Sequence, residues 1–134
     1  MKRLVVLVCL LFLASALAED VGTITIYRMA DHVRGWKPVV TCDGQRVAAV
    51  QGGKYVKINV SAGKHTFSSS NSKNGVDVDV KPGGDYYIRL TATSLGGGGT
   101  FDLADPTQAR SQLIRMEPLS VTEVSGGVCR NKSQ

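Results

Sequence analysis

The chain reads as a mostly β protein, an antiparallel sandwich or open barrel of about seven short strands with one short helix near the C-terminal end. Three observations predict this. Apolar residues alternate with polar ones in several runs, Gly, Pro, Asp and Asn fall between those runs, and only one stretch carries the marks of a capped helix. Strict alternation places successive side chains on opposite faces of a strand, one face dry and one wet, as antiparallel sheets allow.

Taken in order, Thr23 to Arg28 alternates cleanly. Val39 to Cys42 and Arg46 to Val50 flank Asp43-Gly44, a two-residue hairpin signal. In Tyr55 to Val60, Val56, Ile58 and Val60 share one face, with Lys57 and Asn59 opposite. Ala62-Gly63 marks a turn, after which His65 and Phe67 share parity. Val76 to Val80 is the strictest alternation, carrying Asp77 and Asp79 on its polar face. Pro82-Gly83-Gly84 precedes Tyr86 to Ala92, where Ile88 and Leu90 oppose Tyr87, Arg89 and Thr91. Asp105 is placed to cap a helix over about 106–116, with Pro106 at its first position and Gln108 three residues beyond the cap. Ala109, Leu113 and Met116 recur at helical spacing, and Pro118 bars continuation. Residues 117–134 are then left for an edge strand over Leu119 to Val124 and a tail.

The first eighteen residues have another purpose. Lys2 and Arg3 precede an apolar run from Leu4, which closes in Ala16-Leu17-Ala18 before Glu19 and Asp20. Positive charge, an apolar core and an A-x-A site are what a signal peptidase reads, so cleavage after Ala18 and a secreted or periplasmic location are expected. As a helix, Leu4 to Ala18 is about 22 Å long, short of the ~30 Å hydrocarbon core, so no stable membrane span is expected after cleavage. The remaining single domain, residues 19–134, is long enough for a real apolar core without metals. Of the formal net charge of +5, Lys2 and Arg3 supply two; what stays is mildly basic and interspersed, which argues against a nucleic-acid partner. Cys9 departs with the leader, leaving Cys42 and Cys129 as an even pair for a disulfide. Such a bond would close most of the mature chain into one loop, worth on the order of 4 kcal/mol of chain entropy.

Catalytic chemistry has little to start from. Only His32 and His65 can serve as imidazole bases, and no G-x-S-x-G elbow occurs. His65 is expected to pack at the sandwich edge and bond to backbone. Two His and two paired Cys do not form a zinc signature, and the aspartates lack a calcium-loop pattern. Gly96 to Gly99 is followed by no Lys-Ser/Thr, so it reads as a hairpin connection and not as a phosphate loop. No cofactor and no enzyme activity are expected. The loop His32 to Lys37 is the best binding candidate, with Trp36 set between Arg34 and Lys37. An exposed indole there could stack on a sugar or anchor a protein, whereas a buried one would close the core.

Several of these features occur together in a known family. Ile26-Tyr27-Arg28, Asp43-Gly44, Gly63-Lys64-His65-Thr66, Pro82-Gly83 and Tyr86-Tyr87-Ile88-Arg89, followed by Phe101 to Leu113, give a run that resembles the bacterial domain-of-unknown-function family 2846. The DG and GKHT features are also similar to those of PEGA-type envelope domains. The resemblance implies a prealbumin-like sandwich in an exported protein and carries over no catalytic residues. The expected function is therefore a non-enzymatic envelope or secreted interaction module, its partner a protein or glycan met at Arg34, Trp36 and Lys37. A small carbohydrate- or ligand-binding module, using the same loop with Tyr55 or Tyr87, is the alternative.

Overall fold

The computed structural model describes residues 20–33, 36–69, 74–92, 99–120 and 129. The expected leader, Arg34, and the tail apart from Cys129 lie outside the described residues. Among the described residues nine strands and one helix follow in chain order: β1 Val21–Arg28, β2 Val39–Cys42, β3 Gln45–Ala49, β4 Lys54–Ser61, β5 Gly63–Ser69, β6 Val76–Val80, β7 Asp85–Ala92, β8 Gly99–Leu103, α1 Pro106–Leu113 and β9 Glu117–Pro118. They build two sheets, ordered β8-β7-β1-β4-β9 and β3-β2-β5-β6. A β-sandwich is what the alternation predicts, and it is what forms.

The smaller sheet is antiparallel throughout. Its β2–β3 hairpin turns on Asp43 and Gly44, with φ of 50° and 81°. Two successive positive φ values are the type I′ turn that matches strand twist, which is why Asp-Gly works here. The larger sheet is mixed. β1 pairs antiparallel with β4 but parallel with β7, in a register that sets Ile26 beside Ile88. At its far edge β9 runs parallel to β4, and Pro118, lacking an N–H, sits on that edge while Leu119 N donates to Tyr55 O at 2.9 Å.

Between the sheets lies one apolar cluster, to which β1 gives Ile24 and Ile26, β4 gives Val56, Ile58 and Val60, β5 gives Phe67, and β7 gives Ile88 and Leu90. Those are the dry-face residues of the sequence pattern. The opposite face of β1 departs from expectation, because Thr25 and Tyr27 are buried too. α1 covers that face. Ala109, with Leu113 and Met116, packs on Tyr27, Tyr87 and Tyr55 in a second cluster, and the Tyr27 hydroxyl donates to Gln112 Oε1 at 2.8 Å. Burial pushes the Tyr27 phenol up, with the Arg89 charge opposing, so it stays a donor. Asp105 accepts from Gln108 N at 3.0 Å, the expected cap. The helix stops at Leu113, short of 116, and closes through i→i+3 bonds such as Met116 N to Leu113 O.

Gly99, the last glycine of the run read as a hairpin connection, opens β8 against Trp36. A Cβ at this position would overlap the outer ring atoms of Trp36 and crowd Thr91 O at 2.5 Å. Gly99→Ala should therefore lower unfolding stability by about 1–3 kcal/mol, the usual cost of overpacking, in chemical denaturation; no change would mean that Trp36 is free to move away.

Candidate functional site

The β1–β2 loop is organised by a residue that sequence reasoning passed over. Arg28 follows Ile24 and Ile26 in parity, so its side chain enters the interior, where it is 2% exposed. Its guanidinium takes Asp31 in a fork, Nε to Oδ2 at 2.7 Å and Nη2 to Oδ1 at 2.8 Å. Nη1 donates to the Trp36 carbonyl at 2.6 Å, and Nη2 also reaches Val33 O at 3.3 Å. Asp31 Oδ1 accepts from Val33 N as well, at 3.0 Å. The guanidinium carbon stands 4.6 Å from the centre of the Trp36 ring, within cation–π range. One cation thus ties three points of the loop to the end of β1. A charge at a dry-face position was the signal that could have revealed it.

The clasp frames an open pocket of about 570 Å³, lined by Arg28, Asp31, Trp36 and Lys37 and closed from the side by Gln51-Gly52. Lys37 is exposed. Trp36 is only 6% exposed and belongs to the main core, so the lid role wins over the exposed platform. Its Nε1 is buried with no partner among the described residues. Tyr55 and Tyr87 do not join it, for they lie under α1 on the other face of the larger sheet.

A second polar cluster sits inside the sandwich. Cys42 and Cys129 are joined at disulfide distance, with a Cα–Cα separation of 6.4 Å, inside the range such bonds need. Cys129 is held against β4 by Ser61 N, which donates to its carbonyl at 3.1 Å. Beside the sulfurs His65, fully buried, lies 2.5 Å through Nδ1 from Asp43 Oδ2 and 2.6 Å through Nε2 from the Ser61 carbonyl. Ser61 Oγ is 3.3 Å from the same Nε2. Asp, His and Ser thus meet in the order of a hydrolase triad, which no sequence spacing disclosed. An Nε2–H given to the Ser61 carbonyl cannot take the Ser61 proton, however, and the hydroxyl itself donates to Cys129 O at 3.2 Å. As expected, His65 bonds backbone, but it does so inside the sandwich on the interior strand β5 and not at the edge. On the outer face, Asp77 accepts from Thr66 Oγ1 at 2.7 Å and Asp79 pairs with Lys81 at 3.1 Å.

No family model, no curated protein and no solved structure matches the chain. No helix among the described residues is long and apolar enough to cross a membrane.

Removing Arg28 would leave Asp31 and two carbonyls without their donor. Arg28→Ala should lower stability by about 3 kcal/mol, the low end for breaking a buried pair because Asp31 is partly exposed. The hydrogen bonds from Arg28, outweighing burial, hold the Asp31 carboxyl below its ordinary range. Its stabilising effect is therefore complete above about pH 4 and is lost as pH falls through the lower folded value. Acid titration of the folded chain should show this limb, and Asp31→Asn should flatten it; an unaltered limb would separate Asp31 from the clasp.

Proposed function

We propose that the chain is an exported, non-enzymatic β-sandwich module that holds a macromolecular partner, a protein or glycan of the cell envelope or exterior, at the β1–β2 end. The observation that carries this reading is the Arg28 clasp. Four hydrogen-bonding contacts and a ring contact brace Asp31, Val33 and Trp36 of the β1–β2 connection beside the exposed Lys37 and an open pocket. A braced rim lowers the ordering cost of binding, which is how a scaffold makes a loop into a recognition surface. Both nitrogens of His65 face acceptors, the Asp43 carboxylate and the Ser61 carbonyl, which takes this imidazole out of base duty and supports the non-enzymatic part. The charged, apolar and A-x-A order of residues 1–18 supports export, and β1 starts at Val21, just beyond the expected cleavage point. The likeness to family 2846 points the same way.

A small-ligand reading keeps one favourable observation. The pocket volume of about 570 Å³ lies within the ~300–1,000 Å³ of small-molecule sites. Burial of the Trp36 indole removes the stacking face a sugar would need, so a protein partner is preferred to a glycan or a small sugar. The two are separated by capture from an envelope extract, with mass spectrometry, beside a glycan array. Retention of a partner should fall about tenfold in Lys37→Glu and hold in Lys57→Glu, whose charge is exposed on β4. Equal retention by both variants, or glycan-array binding with no protein retained from the extract, would end the proposed mode.

A further inference from the structure

The cluster at the hairpin turn has the makings of a metal centre. Cys42 Sγ, Cys129 Sγ, His65 Nδ1 and one Asp43 carboxylate oxygen lie within 4.8 Å of one another. Each Sγ is 4.0 Å from His65 Nδ1, and Cys129 Sγ is 3.7 Å from Asp43 Oδ2. Zinc bonds of about 2.3 Å to sulfur and 2.0–2.1 Å to nitrogen or oxygen give tetrahedral edges of roughly 3.3–3.8 Å. Three edges are thus near their final lengths already. The two remaining close pairs, S–S and Nδ1 to Oδ2, are bound to each other and would part around an ion.

We propose that Cys42, Cys129, His65 and Asp43 form a redox-exchangeable zinc site, a disulfide when the sulfurs are oxidised and a tetrahedral divalent-metal site when they are reduced. The surroundings are those of metal ligands. The Ser61 carbonyl, 2.6 Å away, accepts from His65 Nε2–H, so Nδ1 is the nitrogen left for an ion once the proton it shares with Asp43 Oδ2 departs. Asp43 Oδ1 accepts from Thr66 N at 2.8 Å, which aims Oδ2 at the same point. Every ligand is anchored: Cys42 ends β2, Asp43 opens the I′ turn, His65 is mid-β5, and Cys129 is bridged to Val60 of β4. The sulfurs and imidazole are buried, while the Asp43 side chain is 22% exposed and gives the ion a way in.

The exchange balances. A dithiol reductant passes two electrons and two protons to the Cys42–Cys129 bond, which breaks as the reductant closes its own disulfide. Zinc then displaces to water one proton from each thiol and the one held between His65 Nδ1 and Asp43 Oδ2, and takes the Nδ1 lone pair of His65 in its Nε2–H form together with the Asp43 carboxylate. Two thiolates, a neutral imidazole and a carboxylate suit a d¹⁰ cation of borderline softness better than calcium or magnesium.

The test is anaerobic titration of the full chain with cobalt(II), before and after reduction by a phosphine. Only the reduced chain should bind it, in a 1:1 complex with thiolate-to-cobalt charge transfer and tetrahedral d–d bands, and zinc should bleach both. His65→Asn should weaken binding at least tenfold, and Cys129→Ser should at least halve the charge-transfer band. X-ray absorption of the zinc-loaded wild type, which needs no variant, should show two sulfur and two nitrogen or oxygen neighbours. Equal binding by the oxidised chain, no binding by a reduced chain that keeps its near-ultraviolet dichroism, a different sulfur count, or loss of fold on reduction that zinc does not reverse would each overturn the assignment.

Discussion

The structure depends on burying β1 on both faces. As the central strand of the larger sheet it has Ile24 and Ile26 against the sandwich core and Thr25 and Tyr27 against the helix side. Each large apolar side chain so buried contributes about 1.5–3 kcal/mol. β1 therefore couples two clusters that share no residue, with β4 and β7 contributing to both beside it. Its neighbours follow from the same demand. β4 and β7 saturate its backbone on either side, and α1 lies where the outer ring of Tyr27 would otherwise meet water.

Much of this was legible in the chain. Val56, Ile58 and Val60, and likewise Ile88 and Leu90, occupy the buried face that period-two alternation assigns. Asp43-Gly44 forms the predicted hairpin, and Asp105 the predicted cap, because both motifs act through backbone geometry within four residues. What alternation does not encode is partnership between distant segments. Nothing in residues 21–28 states that β7 lies beside them and parallel, so the wet face assigned to Thr25 and Tyr27 was wrong for a long-range reason. The expected edge strand over Leu119 to Val124 begins earlier, at Glu117, because the Tyr55 carbonyl accepts Leu119 N; residues 121–128 lie outside the described residues.

Site residues divide along the same line. The loop around Trp36 was visible as an aromatic residue among cations, yet its organiser, Arg28, sits at a strand position where sequence patterns expect an apolar residue. An ion inside a core is costly unless every donor is met, and Arg28 meets its need with Asp31 and two carbonyls. The loop is shaped by that need. Trp36 is drawn in by its own carbonyl and by the guanidinium over its ring, which explains why it is a lid and not a platform.

The two buried polar clusters differ in one chemical respect, and that difference governs what each can do. Arg28 has only donors, and its partners absorb them, so the clasp has no lone pair left to offer and acts by position alone. The cluster at the hairpin turn is made of atoms that become ligands when protons or a sulfur–sulfur bond are removed. Its four residues come from three separate places in the chain, 42–43, 65 and 129, with no local spacing for a motif to record. Topology supplies the juxtaposition: β2 pairs with β5 so that Cys42 faces Phe67, two residues from His65, while the Val60–Cys129 bridge brings the last sulfur across from the other sheet. Cross-sheet closure and ligand convergence are thus one event, and whichever bond the sulfurs make, to each other or to an ion, ties the two sheets at the same point.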